Sequence, residues 1–277
     1  MATASGGSSE DAGADAETES PIMVKDTINR LIRELPATVK LVAVSKFHPF
    51  DAIEEAYEAG QRIFAESRPQ ELLSKVRRLE ELRAERGEDY MADIQWHFIG
   101  HLQTNKLKMV LPYVSLVQSV DSVRLLDSIE AWAAGNGKVV SVLLEPHVAA
   151  EQTKQGFAEE EIYELLKAAN ASRSFVGHGG YSVGQSGDSL PVECECRYSH
   201  ISFCGIMGMA TFTDDEAVIR SDFEALRGIF DECRLRFPSL APDFTELSIG
   251  MSDDYSLAIS YGSTMVRIGS MIFGERV

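Results

Sequence analysis

The chain has 277 residues, 44% of them hydrophobic and 25% charged, which fits a folded globular protein and excludes a collagenous or wholly disordered one. Acids outnumber bases 43 to 26, and the formal charge of -17 sets up a field that repels nucleic-acid backbones and anionic lipid. No apolar run approaches the roughly 18 residues of a membrane span, and four clustered cysteines are too few for a disulfide scaffold of this size.

Residues 1–20 carry five acids, no base and almost no bulky apolar side chain, so they are expected to form a disordered acidic tail. The start also lacks the basic and apolar pattern of a secretory leader, which points to a cytoplasmic protein. A helix is predicted over 22–35, followed by a strand over 40–46 (KLVAVSK) and a helix over 50–60. Next come a strand over 62–67, a charged helix over 68–86, a strand over 94–100 and a helix over 103–110. The alternation continues with strands over 114–120 and 138–145, each followed by a helical pattern, 122–134 and 158–170. It closes with strands over 201–208, 244–250 and 265–269, separated by helices over 214–236 and 253–261. Only the glycine-rich stretch 172–198 breaks the rhythm, and it reads as a surface-loop insertion.

Strands that alternate with helices make right-handed βαβ units and a parallel sheet. Covered on both faces, such a sheet explains why VVSVLL and FCGIM are apolar without alternation. Eight strands are the number that closes a (β/α)8 barrel, and the chain length suits one. An open doubly wound sheet is the alternative. It usually carries a glycine-rich phosphate turn, and neither GxGxxG nor GxxxxGK[ST] is present.

In a barrel, chemistry sits at the C-terminal ends of strands, and Lys46 closes the first one. Two readings follow from position. A lysine buried there has a lowered pKa and a neutral amine able to attack an aldehyde. A lysine at the rim lays its stem along apolar surface and keeps its charge in water. At the other end of the chain, the loops after strands seven and eight hold Gly250-Met251-Ser252 and Gly269-Ser270, residues suited to a phosphate. Ring closure makes strand eight the neighbour of strand one, so Arg267 is expected to face the same pocket as Lys46.

The stretches LVAVSK (41–46), FAESRPQEL (64–72), WHFIGHLQTNK (96–106), SVDS (119–122), GIMGMATFT (205–213) and 247–276 resemble the pyridoxal phosphate homeostasis protein family. That family is related to the barrel domain of alanine racemase. The likeness runs from residue 39 to the C-terminus and implies a single (β/α)8 TIM barrel of the alanine racemase N-terminal type over 21–277, without a C-terminal β domain. It implies pyridoxal 5′-phosphate as cofactor, held as an internal aldimine on Lys46, with Arg267 facing the pyridine nitrogen. Ser252, Gly269 and Ser270, with Met251 beside them, match the phosphate cradle. Ser67 stands where many members carry Asn, and Asn105 is a candidate for the pocket wall. FAES departs from the commoner FGEN, with Ala65 in place of glycine.

An arginine at the pyridine nitrogen leaves it unprotonated and weakens the ring as an electron sink. Lys46 also supplies only one of the two bases that racemisation needs. The implied function is therefore intracellular vitamin B6 homeostasis by a monomeric binder that carries the cofactor, with pyridoxal-dependent apo-enzymes as recipients and neither nucleic acid nor membrane as a partner. A low-activity amino-acid racemase is the alternative, and an aldolase-type barrel with a Schiff-base lysine is a third reading. No metal site is expected: Cys194-Glu195-Cys196 with His178 and His200 lacks the usual CxxC spacing, and His97 and His101 flank a strand end. Cys204 and Cys233 read as small core residues.

Overall fold

Strand β1 (Lys40–Val44) pairs on one side with β2 (Ile63–Glu66) and on the other with β8 (Met265–Ile268), which closes eight parallel strands into a barrel in chain order. Between them lie β3 (Gln95–Phe98), β4 (Leu116–Val120), β5 (Val140–Leu144), β6 (Ile201–Met207) and β7 (Glu246–Ser248). This computed structural model describes residues 23–148, 156–176 and 197–274, with backbone alone for 171–176. The acidic stretch 1–20 and residues 177–196 lie outside the described residues. Among the described residues no helix is long and apolar enough to cross a membrane.

The strands alternate side chains between two apolar layers. Leu41, Ala43, Phe64, Phe98 and Val117 point outward and pack against the helices. Val42, Val44, Ala65, Leu116, Leu143, Met207 and Met265 point inward and fill the barrel. The outer shell comprises α1 (Val24–Glu34), α2 (Phe50–Glu58), α3 (Pro69–Arg86), α4 (Leu107–Val110), α5 (Val123–Asn136), α6 (Glu159–Val176) and α7 (Glu216–Arg236), with short α8 (Tyr255–Ser260) and α9 (Ser270–Phe273) near the closing strand.

Local chemistry sets the helix ends. Pro69 opens α3, where its missing N–H costs nothing. Ser122 caps α5 by accepting from the Leu125 N–H, and left-handed Gly137 ends that helix. Asp215 caps α7 through the Ala217 N–H. Where β6 meets β7, Gly205 takes a φ of 149°, and a Cβ there would stand 1.8 Å from the Glu246 carbonyl oxygen. No other residue fits that crossing.

Three expectations change. Helix α6 runs on to Val176, so residues 172–176 are helical and not part of a loop; no glycine or proline interrupts the sequence before Gly177. The seventh strand is cut to Glu246–Ser248 because Gly250, at a φ of 97°, turns the chain. The helix expected over 103–110 divides into a 3-10 turn, Thr104–Lys106, and the single turn of α4, with Pro112 close behind.

Candidate ligand-binding site

At the C-terminal end of the barrel lies a cavity of about 550 Å³. Its polar lining includes Lys46, His48, Ser252, Arg267 and Ser270; Val44, Ile99, Met207 and Met209 supply the apolar part. Strand parity explains the lysine. Val42 and Val44 face the interior, so the next inward position is Lys46, half-buried two residues beyond β1. Phe47 follows with a φ of 70°, unusual for a bulky side chain, and it turns the chain sharply away from the strand.

Arg267 forms the floor and is 4% exposed. Its guanidinium donates to the Ser248 carbonyl at 2.7 Å, the Ser248 Oγ at 2.8 Å and the Gly208 carbonyl at 2.9 Å. No carboxylate forms a salt bridge with it among the described residues. Burial brings its pKa down to about 10, against the opposing pull of Glu145 and Asp254, so it stays cationic at neutral pH. In the β1–β8 register Arg267 lies opposite Val42. Lys46 is therefore four residues further along, roughly 13 Å at strand spacing, a span over which two long side chains can close on a ring-sized ligand.

The polar contacts continue through the barrel. Ser248 donates to Gln118 Oε1 at 2.8 Å, and Gln118 Nε2 lies 2.9 Å from His97 Nδ1. Burial, with Lys40 adding to it, depresses the His97 pKa to about 3, so the imidazole is neutral and can accept from the amide.

Two loops form the wall beside Arg267. Ser270 Oγ donates to Ser252 Oγ at 3.1 Å, which brings both hydroxyls to one side of the cavity. The loop carrying Ser252 is pinned at each end: the Arg267 N–H donates to the Gly250 carbonyl at 3.0 Å, and the Met251 N–H donates to Asp254 at 2.5 Å. At the start of the single turn α9, the Ile272 and Phe273 N–H groups donate to the Gly269 carbonyl, and the Ser270 and Met271 N–H groups have no hydrogen bond within the helix among the described residues. Hydroxyls and amides of this kind suit a phosphate; Asp253, also in the lining, does not.

The structure thus brings Lys46, Met251, Ser252, Arg267, Gly269 and Ser270 to one cavity. Ser67 is half-buried with its backbone against Gly100 and is not in that lining. Asn105 lines a separate cavity of about 540 Å³ with His101, Asp121 and Arg124. His48, Ile99, Met207 and Met209 were not anticipated; counting alternate residues onward from the inward Val44 would have found His48, and from the inward His97, Ile99. Cys194, Cys196 and His178 lie outside the described residues, among which no cluster of three or more metal-binding side chains occurs. His101 pairs with Asp121 at 3.0 Å, Cys233 is buried, and Cys204 is half-buried against the barrel interior.

Residues 23–277 match the family model for the alanine racemase N-terminal domain. A pyridoxal phosphate homeostasis protein of Aquifex aeolicus is 34% identical, with 86% of this chain and 87% of the relative covered. The protein of that name from Bos taurus is 37% identical over 91% of this chain and 83% of its own. Among solved structures, PipY of Synechococcus elongatus with PLP bound aligns at a TM-score of 0.69 and 28% identity, covering 91% of this chain and 100% of PipY. By the near-complete span of the family match and of these relatives, the chain belongs to the alanine racemase N-terminal domain family and is similar throughout to its pyridoxal phosphate homeostasis proteins.

Proposed function

We propose that this chain binds pyridoxal 5′-phosphate in the cavity above Arg267, with Lys46 as the amine that holds it, and serves as an exchangeable carrier in vitamin B6 homeostasis. The observation that carries the reading is the shared cavity: a strand-end lysine, a buried guanidinium and two serine hydroxyls line one space. The names of the relatives and the PLP-bound PipY support it. When bound, pyridoxal phosphate supplies an aldehyde for capture by an amine and a ring that can draw electrons.

The residues present suit that group. Lys46 presents the amine, Ser252 and Ser270 with the leading α9 amides suit the phosphate, and Arg267 suits the ring nitrogen. Because Arg267 remains cationic and, among the described residues, hydrogen-bonds only to neutral oxygens, it offers the ring nitrogen no proton of carboxylic-acid strength. Storage and transfer to pyridoxal-dependent apo-enzymes fit such a floor better than carbanion chemistry. The racemase reading has one observation in its favour: His48 lines the cavity, and burial lowers its pKa, which leaves a neutral imidazole as a second base.

Borohydride reduction of the cofactor-loaded protein, followed by peptide mass mapping, tests the reading. A pyridoxyl mass on the Lys46 peptide is expected, and its loss in Lys46→Ala. An adduct on another lysine overturns the assignment, and alanine turnover at racemase rates overturns the carrier role.

A further inference from the structure

The two peptide groups that bracket Lys46 are both held by one buried cluster of charged side chains. On one side, the Ser45 carbonyl accepts from Lys75 Nζ at 2.7 Å. On the other, the Phe47 N–H donates to Glu71 Oε1 at 2.5 Å. Lys75 joins these contacts, since it also donates to Glu71 Oε1 at 3.0 Å and to Glu66 Oε1 at 2.6 Å. Glu66 Oε1 accepts from the Ser45 hydroxyl as well, at 2.6 Å. The acids and the base come from the end of β2 and the first turns of α3, and none of them lines the cavity.

Stability alone does not account for this arrangement. Lys75 is 6% exposed and Glu66 fully buried, and removing such charges from water offsets most of their mutual attraction. Glu66 Oε2 is buried without a hydrogen-bond partner among the described residues, an arrangement that a cluster selected for stability would avoid. What the cluster does accomplish is geometric. Phe47 is held at a φ of 70°, a conformation that persists only where surrounding contacts over-determine it. The Glu71 carboxylate on its N–H and the Arg68 guanidinium 4.5 Å from its ring centre supply those contacts.

We propose that Lys75, together with Glu66 and Glu71, is a positioning device that clamps the backbone on both sides of Lys46 and so directs its amine into the cavity. The proposal rests on the reading of Lys46 as the cofactor-holding amine. Lys75 acts through the main chain of Ser45 and, by way of Glu71, through that of Phe47. Removal of its charge should therefore loosen the turn without removing any group that touches the ligand.

The test uses the full chain and the variants Lys75→Met, Glu71→Met and Lys75→Arg. Amide hydrogen exchange without cofactor should show the Phe47 N–H exchanging at least tenfold faster in Lys75→Met and in Glu71→Met, which removes its acceptor, with the β4 and β5 amides unchanged. With pyridoxal phosphate added, borohydride trapping at Lys46 should slow by a similar factor, and Lys75→Arg should recover part of both losses. If Lys75→Met fails to fold, Glu71→Met carries the test, because the Glu71 side chain is 20% exposed and Lys75 keeps Glu66 as its partner. Native exchange at Phe47, or native trapping at Lys46 in either variant, overturns the clamp. A native chain that gives no Lys46 adduct overturns the cavity reading itself, a result distinct from native labelling with unaffected variants.

Discussion

Ser248 accepts two hydrogen bonds from the Arg267 guanidinium, one on its carbonyl at 2.7 Å and one on its hydroxyl at 2.8 Å, and its hydroxyl donates in turn to Gln118 Oε1. A single small side chain thereby joins the cavity floor to the polar file that crosses the barrel. Ser248→Ala leaves Gln118 Oε1 and one guanidinium N–H short of a partner, at a cost of about 1–3 kcal/mol. For a domain of this size that corresponds to a fall of roughly 3–10 °C in melting temperature. Weaker pyridoxal phosphate binding is expected alongside it, as the guanidinium loses one of its anchors. A melting temperature equal to that of the native chain would show that the file is not continuous.

Acid should weaken the fold through His97. Its folded-state pKa lies near 3, below the ordinary 6.5, so between those values the unfolded chain binds a proton that the native chain refuses. Stability then falls as pH drops from about 6.5 towards 3, by an amount on the order of a few kcal/mol. Glu66 works in the opposite sense, since burial raises its pKa and its protonation on acidification favours the fold. Urea midpoints measured across this window should decline for the native chain and decline less for His97→Asn, whose amide oxygen can still accept from Gln118. Equal slopes for the two proteins would remove His97 from the account.

The paired hydroxyls of Ser252 and Ser270 provide a test of which end of the ligand they meet. The double variant Ser252→Ala, Ser270→Ala should bind pyridoxal phosphate roughly tenfold or more weakly, as two hydrogen bonds to a charged group are lost. Pyridoxal without its phosphate should bind both proteins alike. An equal loss for both compounds would place the phosphate elsewhere.

Gly250 sets the loop that presents Ser252. Its φ is 97°, and a Cβ there would come within 2.6 Å of the Ala258 Cβ. Gly250→Ala should therefore cost about 2 kcal/mol or more from the backbone conformation and the clash together. Because Arg267 donates its N–H to the Gly250 carbonyl, cavity binding should weaken in step with stability. Native binding combined with lowered stability would separate the loop from the site.

Some of the site was legible before any fold was known. Lys46 stood at the end of an apolar strand, and Arg267 two residues before the end of the last one, so ring closure alone made them neighbours of one cavity. The glycines and serines after strands seven and eight signalled their loops for a similar local reason. Asn105 was legible only as a polar residue after a strand; the 3-10 turn that starts at Thr104 carries it to a different cavity. Met207 and Met209 gave no sign beyond hydrophobicity, because the register shift between β5 and β6 decides which side of the barrel they face.

Composition and periodicity by themselves determined the alternation of strand and helix, and with it the parallel sheet and the strand ends at which chemistry belongs. These are local preferences that repeat along the chain. The pairing of β1 with β8 that closes the ring is a tertiary fact. Tertiary structure decided the partners. Lys75 reads in the sequence as one charge on a solvated helix, yet it lies buried beneath the Lys46 turn and bonds to Ser45, Glu66 and Glu71. Gln118 and His97 read as polar interruptions of apolar strands, yet they meet inside the barrel and extend the contacts of Arg267. The physical reason is that hydrogen bonds are short and directional. Which donor reaches which acceptor depends on how residues far apart in sequence are packed, and no window along the chain contains that information.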